Sequence, residues 1–352
     1  MTHIEEHLDV PSLKTLNRQD NRFDILRLLA AWLVLFSHCY PLGGRPQNEP
    51  LQSALGLDTL GGVGVAIFFV LSGYLVSISL ERSPNLFEFA RRRALRIYPA
   101  LIMICLLCVL LLGPLMTTLS LAEYWRHGMT WDYLRNASAL SIRFELPGVF
   151  ADNTYPRTIN GSLWTLPYEI SCYAVLALLG LLPGSLRVKV MVVLVALAAL
   201  VLTRPPALAA TPLSRFLGLD YYFTKLGFLF ALGAVFGCWR ERIRPAAWLA
   251  LLALAGVVVS LGELQMLLWL FGLGTLTLWL ALYGKWLPRV PARVGDWSYG
   301  AYLYGFPVQQ VLAHYKLQEA SFAGYVIAAT VLTFTLAALS WHWVEKQALR
   351  WK

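Results

Sequence analysis

The sequence predicts an all-α polytopic membrane protein of about ten transmembrane helices, with both termini cytoplasmic. Three observations predict it. Of the 352 residues, 58% are hydrophobic and only 14% charged, against roughly a quarter charged in a soluble domain. The apolar residues gather in runs close to the ~20 residues that a helical crossing requires. Lys and Arg fall unevenly between the segments that separate those runs, as the positive-inside rule describes.

The runs lie near 23–42, 60–80, 99–119, 163–182, 188–203, 221–239, 246–261, 264–284, 298–315 and 321–344. Backbone facing hydrocarbon must satisfy its own hydrogen bonds, so each run is read as a helix. The runs at 188–203 and 246–261 are the shortest. Residues 1–22 read as a cytoplasmic tail, 23–344 as one membrane domain and 345–352 as a short cytoplasmic tail. The polar start and the missing small-residue cleavage site argue against a removable signal.

Orientation comes from the basic residues. Of 29 Lys and Arg, nineteen fall in the tails and the even-numbered loops, and eight in the odd-numbered loops. Arg27 and Lys225 sit inside runs, and Lys225 is near enough to an end to snorkel. The net charge of +9 follows from these loops. It calls for no nucleic acid, because no aromatic-basic groove pattern accompanies it. The longest outer segment, 120–162, carries Trp125, Trp131 and Tyr133, which suits an interfacial helix at headgroup level.

Charges inside the runs bear on function. Asp24, Arg27 and His38 interrupt the first run. Ionisable groups there cost ~2.5–3.5 kcal/mol each on insertion scales and usually face a polar interior. Eleven positions separate Arg27 from His38, three turns plus ~20°, so both lie on one face, ~16 Å apart along the axis. Asp24 and Arg27, three apart, are spaced to pair. The pattern fits an interfacial ion pair with a headgroup histidine, or a polar cavity that Arg27 enters from the inside and His38 from the outside.

Arg91, Arg92, Arg93 and Arg96, in RRRALRIYP, close the first inner loop. They form a positive-inside anchor or a phosphate-binding patch, since guanidinium suits bidentate phosphate contact. Ser72, in FFVLSGYL, reads as a small packing residue, because the GxSxG turn of a serine nucleophile is absent. SLWTLPYE places Trp164 at the start of the fourth run and Glu169 inside it, where a lone carboxylate needs a cationic or hydrogen-bonding partner. Cys39, Cys105, Cys108, Cys172 and Cys238 all lie in or beside apolar runs and read as filler. The CxxC of Cys105 and Cys108 has no second pair, and no metal site is expected.

Arg27-x10-His38, FFVLSGYL, RRRALRIYP, SLWTLPYE and SYGAYLYGFP occur in this order over residues 20–346. With these motifs the chain resembles acyltransferase family 3, the bacterial membrane O-acyltransferases of surface polysaccharides. It matches the stand-alone form, with no SGNH-type domain before Lys352. The resemblance implies a membrane acyltransferase domain in the bacterial inner (cytoplasmic) membrane. Its donor substrate would be acetyl-CoA or another acyl-CoA, with no bound cofactor. Its acceptor would be the sugar hydroxyl of a surface glycan or lipid-linked sugar, such as lipopolysaccharide O-antigen or exopolysaccharide. Membrane lipids surround it, and polysaccharide assembly proteins are possible partners. The resemblance also marks His38 and Arg27 as the functional pair, and Arg93 and Arg96 as the family's arginine motif.

On that footing, Arg91, Arg92, Arg93 and Arg96 are expected to meet acyl-CoA phosphates. His38 is expected to act as general base or to carry the acyl group. Glu169 would orient His38 or a neighbouring cation, with Asp24, Ser72 and Trp164 in support. The rival classes are a glycan or acyl-group transporter, a non-catalytic scaffold, and an acyltransferase acting on a small glycoside. A transporter favours matched halves with broken spans, and no such symmetry is visible.

Overall fold

The structure, a computed structural model, describes residues 22–203, 220–291 and 294–351. The expected N-terminal tail, apart from Arg22, lies outside the described residues, as do Arg204, Arg215, Arg293 and Lys352. Ten principal helices match the ten apolar runs. They are α1 (Arg22–Leu42), α2 (Leu60–Arg82), α3 (Leu86–Leu107), α4 (Leu166–Leu181), α5 (Leu186–Thr203), α6 (Tyr221–Cys238), α7 (Ala247–Val259), α8 (Gly262–Tyr283), α9 (Ser298–His314) and α10 (Phe322–Ser340). Among the described residues the only β pairing is an isolated bridge, Thr117 to Val149.

Among the described residues, eight segments are long and apolar enough to cross a membrane. The run at 188–203 is one of them, as the 18-residue α5. The run at 246–261 gives only the 13-residue α7, and α9 has 17 residues. Helices this short reach less than the ~30 Å hydrocarbon thickness at 1.5 Å per residue.

The helices pack around α2 and α6. Gly73 and Gly233 let these two touch backbone to backbone. A Cβ at Gly73 would stand 1.9 Å from the Phe230 carbonyl oxygen, and one at Gly233 would stand 2.1 Å from that of Val70. Small residues at such a crossing are how apolar helices approach closely without a hydrophobic driving force. The sequence reading of FFVLSGYL as a packing stretch therefore fits Gly73. α1 lies against α2 and α9, α9 against α10, and α7 against α8.

Two boundaries depart from the sequence expectation. The third run was placed at 99–119, with the arginines in the preceding loop. Instead, helix begins at Leu86 and continues through a π turn at Cys108–Leu112 to Met116, 31 residues in all. Asn85 caps it by accepting from the Glu88 amide, and Glu88 pairs with Arg91 and Arg92 one turn on. Arg is a good helix former, so a polar overhang costs nothing outside the hydrocarbon. The arginines thus ride on the helix at fixed angles.

The second departure is the outer segment. In place of one interfacial helix it folds as Leu121–Arg126, with a Ser120/Glu123 capping box, then Gly128–Asp132 and a 3-10 stretch at Tyr133–Ser138. Trp131 is exposed, while Tyr133 is buried. Beyond Ala139 the chain turns inward and runs along α9. Asn153 donates to the Gln310 carbonyl (2.9 Å), and the Gln310 amide donates to Tyr155 O (2.8 Å) and Thr158 O (2.6 Å). Asn160 donates to Leu303 O (2.8 Å), and Tyr302 donates to Ser162 O (2.7 Å). Residues 153–162 therefore descend from position 310 to position 302 of α9, ~12 Å at helical rise. A 3-10 turn at Gly161–Thr165 then starts α4 inside the bundle.

Candidate active site

Two cavities lie end to end beside α1. The inner one, about 80 Å³, is lined by Arg27 of α1, Ser72 of α2, Arg93 and Arg96 of α3, and Glu169 and Tyr173 of α4. The outer one, about 520 Å³, is lined by His38 with Asp58, Trp164, Tyr222 and Lys225 among others. Val65 and Tyr302 line both. The Tyr302 hydroxyl meets Thr165 Oγ1 (2.6 Å) as well as Ser162 O, and its ring stands edge-on to Phe68 at 5.7 Å. Tyr302 is thus a partition tied to the inward-folded segment.

At the inner cavity Asp296 gathers the cations. It precedes α9, accepts from the amide of Ser298 (3.1 Å) and from its hydroxyl, and pairs with Arg96 and with Arg27 at 3.5 Å. Burial disfavours its charge, but the Arg96 and Arg27 guanidiniums and the Ser298 donors override this and hold its carboxyl at about 2. Asp24 also reaches Arg27, at 3.8 Å, as the spacing of three predicts. Tyr299 fastens α9 to α3 by donating to Ile97 O (3.0 Å), and the Arg96 guanidinium lies over its ring at 5.9 Å.

Arg93 differs from Arg96. Its Nε is buried and has no hydrogen-bond partner among the described residues, and no ion pair joins its side chain to any of them. Glu169 accepts from the Tyr173 hydroxyl and shares the cavity of Arg27, Arg93 and Arg96. It does not line the cavity of His38. Of the two partners weighed for Glu169 in the sequence, the placement fits a neighbouring cation.

The arginine cluster is divided. Arg93 and Arg96 line the cavity, whereas Arg91 and Arg92 both pair with Glu88 on the outside of α3, at 3.0 Å each. Helical angles place Arg91 off the face that Arg93 and Arg96 share, whereas Arg92, one turn from Arg96, is drawn away by its pairing with Glu88. His38 stands edge-on to the Phe306 ring at 5.3 Å, and its nitrogens make no hydrogen bond among the described residues. Ser72 and Trp164 line the inner and outer cavity respectively. All five cysteines are buried and unpaired.

Sequence reasoning missed Asp296, Tyr302 and Asp58. Asp296 stands two residues before a motif that had been singled out, and an Asp ahead of a helix start is a capping signal. Tyr302 lay inside that motif without a reason to prefer it. Lys225, read as snorkelling, points its ammonium over the Tyr221 ring at 4.9 Å beside the outer cavity.

The acyltransferase family 3 model, described as "Acyltransferase domain", matches residues 20–342. The chain belongs to this family. It is a multi-pass membrane acyltransferase. The chain is 32% identical to an O-acetyl transferase of Shigella phage Sf6 over 343 residues, which is 94% of this chain and 96% of that one. It is 34% identical over 174 residues to Nodulation protein 10 of Rhizobium leguminosarum bv. viciae, covering 48% of this chain and 46% of that protein. It is 30% identical over 149 residues to the acyltransferase MdmB of Streptomyces mycarofaciens, covering 42% and 36%. No solved structure matches the chain.

Proposed function

We propose that this membrane acyltransferase is an O-acetyltransferase of the bacterial inner membrane. It moves an acetyl group from cytoplasmic acetyl-CoA to a sugar hydroxyl of a surface polysaccharide such as O-antigen or exopolysaccharide. The observation that carries the reading is the pair of cavities, one holding the arginines, the other His38, with Tyr302 and Val65 between them. The name of the phage relative supports the acetyl group and the oxygen acceptor.

The roles follow from the geometry. A cytoplasmic donor carries phosphates, which suit the guanidiniums of the inner cavity, Arg93 first because its Nε lacks a partner. The pantetheine arm is narrow enough to pass Tyr302 once its ring shifts. His38, with both nitrogens unengaged, takes the proton of the acceptor hydroxyl as the oxygen attacks the thioester carbonyl. The C–S bond breaks, and His38 returns the proton to the departing CoA thiolate. General base catalysis of this kind contributes ~10²–10⁴-fold, and holding both substrates at one partition supplies proximity.

The experiment is transfer of labelled acetate from acetyl-CoA to glycan in isolated membranes. His38→Ala should lose at least ~10²-fold in transfer while the protein still inserts at normal yield. Transfer retained in that variant would remove His38 from the chemistry, and wild-type membranes inert with acetyl-CoA would remove the donor.

A further inference from the structure

The outer cavity holds more polar equipment than His38 alone needs. Its roof, residues 43–59, is fastened by Glu49, a buried carboxylate that accepts from Ser37 Oγ (3.1 Å), Gln52 N (2.8 Å) and Leu60 N (2.7 Å). Asp58 is held as firmly. One of its oxygens accepts from the Thr59 amide (2.8 Å) and the other from Trp269 Nε1 (2.9 Å). Gly62 makes room for it, since a Cβ there would stand 1.9 Å from the Asp58 carboxylate oxygen. Each carboxylate oxygen keeps a lone pair unused.

Three further side chains line this cavity without a hydrogen bond among the described residues: the Gln52 amide, the His38 ring and the Lys225 ammonium, which lies over the Tyr221 ring. Trp164 and Tyr222, packed edge to face at 5.0 Å, form an aromatic wall on the α6 side.

An aromatic wall with a fixed carboxylate, an ammonium and an amide matches one ligand chemistry well. A pyranose ring offers an apolar C–H face to the wall and a rim of hydroxyls to the polar groups. An acyl chain would leave Lys225 and Gln52 desolvated without hydrogen-bond partners and the remaining Asp58 lone pairs unmet. A phosphate would meet one cation with a carboxylate against it. We propose that the outer cavity is a built pyranoside subsite. Trp164 and Tyr222 are its stacking wall, and Asp58 and Lys225 fix hydroxyls and so set acceptor specificity. The inference rests on the acyl-transfer reading only for what His38 then does to the bound sugar.

The test is saturation-transfer NMR on the full chain in lipid nanodiscs without acyl-CoA. The probes are methyl hexopyranosides of gluco, galacto and 6-deoxy configuration. Ring C–H protons of at least one glycoside should saturate with the wild type. Trp164→Ala and Asp58→Asn should each weaken binding about tenfold, the scale of one lost contact, and Trp164→Phe should restore it. Saturation with no glycoside, or saturation in Trp164→Ala and Asp58→Asn that equals the wild type, overturns the subsite. Acetyl transfer with an acceptor KM unmoved by Asp58→Asn also overturns it while leaving the transfer reading intact. Sugar saturation that these variants abolish, without acetyl transfer to any acceptor, upholds the subsite and removes the transfer reading.

Discussion

Arg93 and Arg96 are three residues apart and line the same cavity, yet their surroundings assign them different work. Arg96 is bound to Asp296, which also holds Arg27. Removing one partner of such a buried pair strands the other charge, at ~3–5 kcal/mol. Arg96→Ala should therefore lower folded yield and melting temperature. Arg93→Ala should leave both near wild type and raise KM for acetyl-CoA by about tenfold or more, with a smaller change in kcat. Equal effects on stability from the two variants would refute the division. The pH dependence carries a sign. The Asp296 carboxyl, held at about 2 in the fold, lies below its ~3.9 reference. Its stabilisation is thus complete above the reference value and is lost only as pH falls through about 2. Asp296→Asn should depress the melting temperature equally at about pH 6 and pH 8. The sequence showed the cations but not this pairing, because Asp296 is 269 positions from Arg27.

The element that shapes the site is the inward-folded segment 153–165. It decides where α4 begins and so delivers Trp164 to one cavity and Glu169 to the other. Side-chain amides substitute for helical hydrogen bonds along it. Asn160 is buried, donates to Leu303 O and accepts from the Ser162 amide. Asn160→Ala should cost ~1–3 kcal/mol, read as a lower melting temperature. Transfer should fall with it, because Trp164 and Glu169 lose their positions together. A variant that melts early but transfers at the wild-type rate would show that the segment is only structural. The ten helices were legible because hydropathy is local and the bilayer allows helices little alternative. This segment was not. It has no period, and its partners on α9 lie 137 to 157 positions away. Gln310 was the signal available, a buried amide in an apolar run whose partners are Asn153, Tyr155 and Thr158.

At the scale of the whole molecule, the mechanism depends on which end of the bundle faces the cytoplasm. By the alternation of the helices, the loops at 83–85, 182–185, 239–246 and 284–291 share one end, where Arg82, Arg187, Arg240, Arg242, Arg244, Lys285 and Arg289 stand in the loops or on the helix ends beside them; the segments at 43–59 and 117–165 share the other. The inner cavity, with Arg27, Arg93 and Arg96, lies toward the basic end, as the proposed cytoplasmic acyl-CoA requires. Basic loops are retained inside, so the same feature sets the orientation and would place the proposed donor site. The five native cysteines are buried, so single introduced cysteines can be labelled over a low background. Ser185→Cys and Asp152→Cys lie at exposed positions at opposite ends of the bundle. A membrane-impermeant maleimide should label Asp152→Cys in intact spheroplasts and Ser185→Cys only after lysis. The reverse pattern would put the arginine cavity outside, away from CoA, and a path from cytoplasmic donor to outer acceptor through Tyr302 could not stand. Labelling of both positions in intact spheroplasts would break the alternation of the ten helices instead. The orientation and the helix count are therefore separable in one experiment, and only the first bears on which cavity takes the donor.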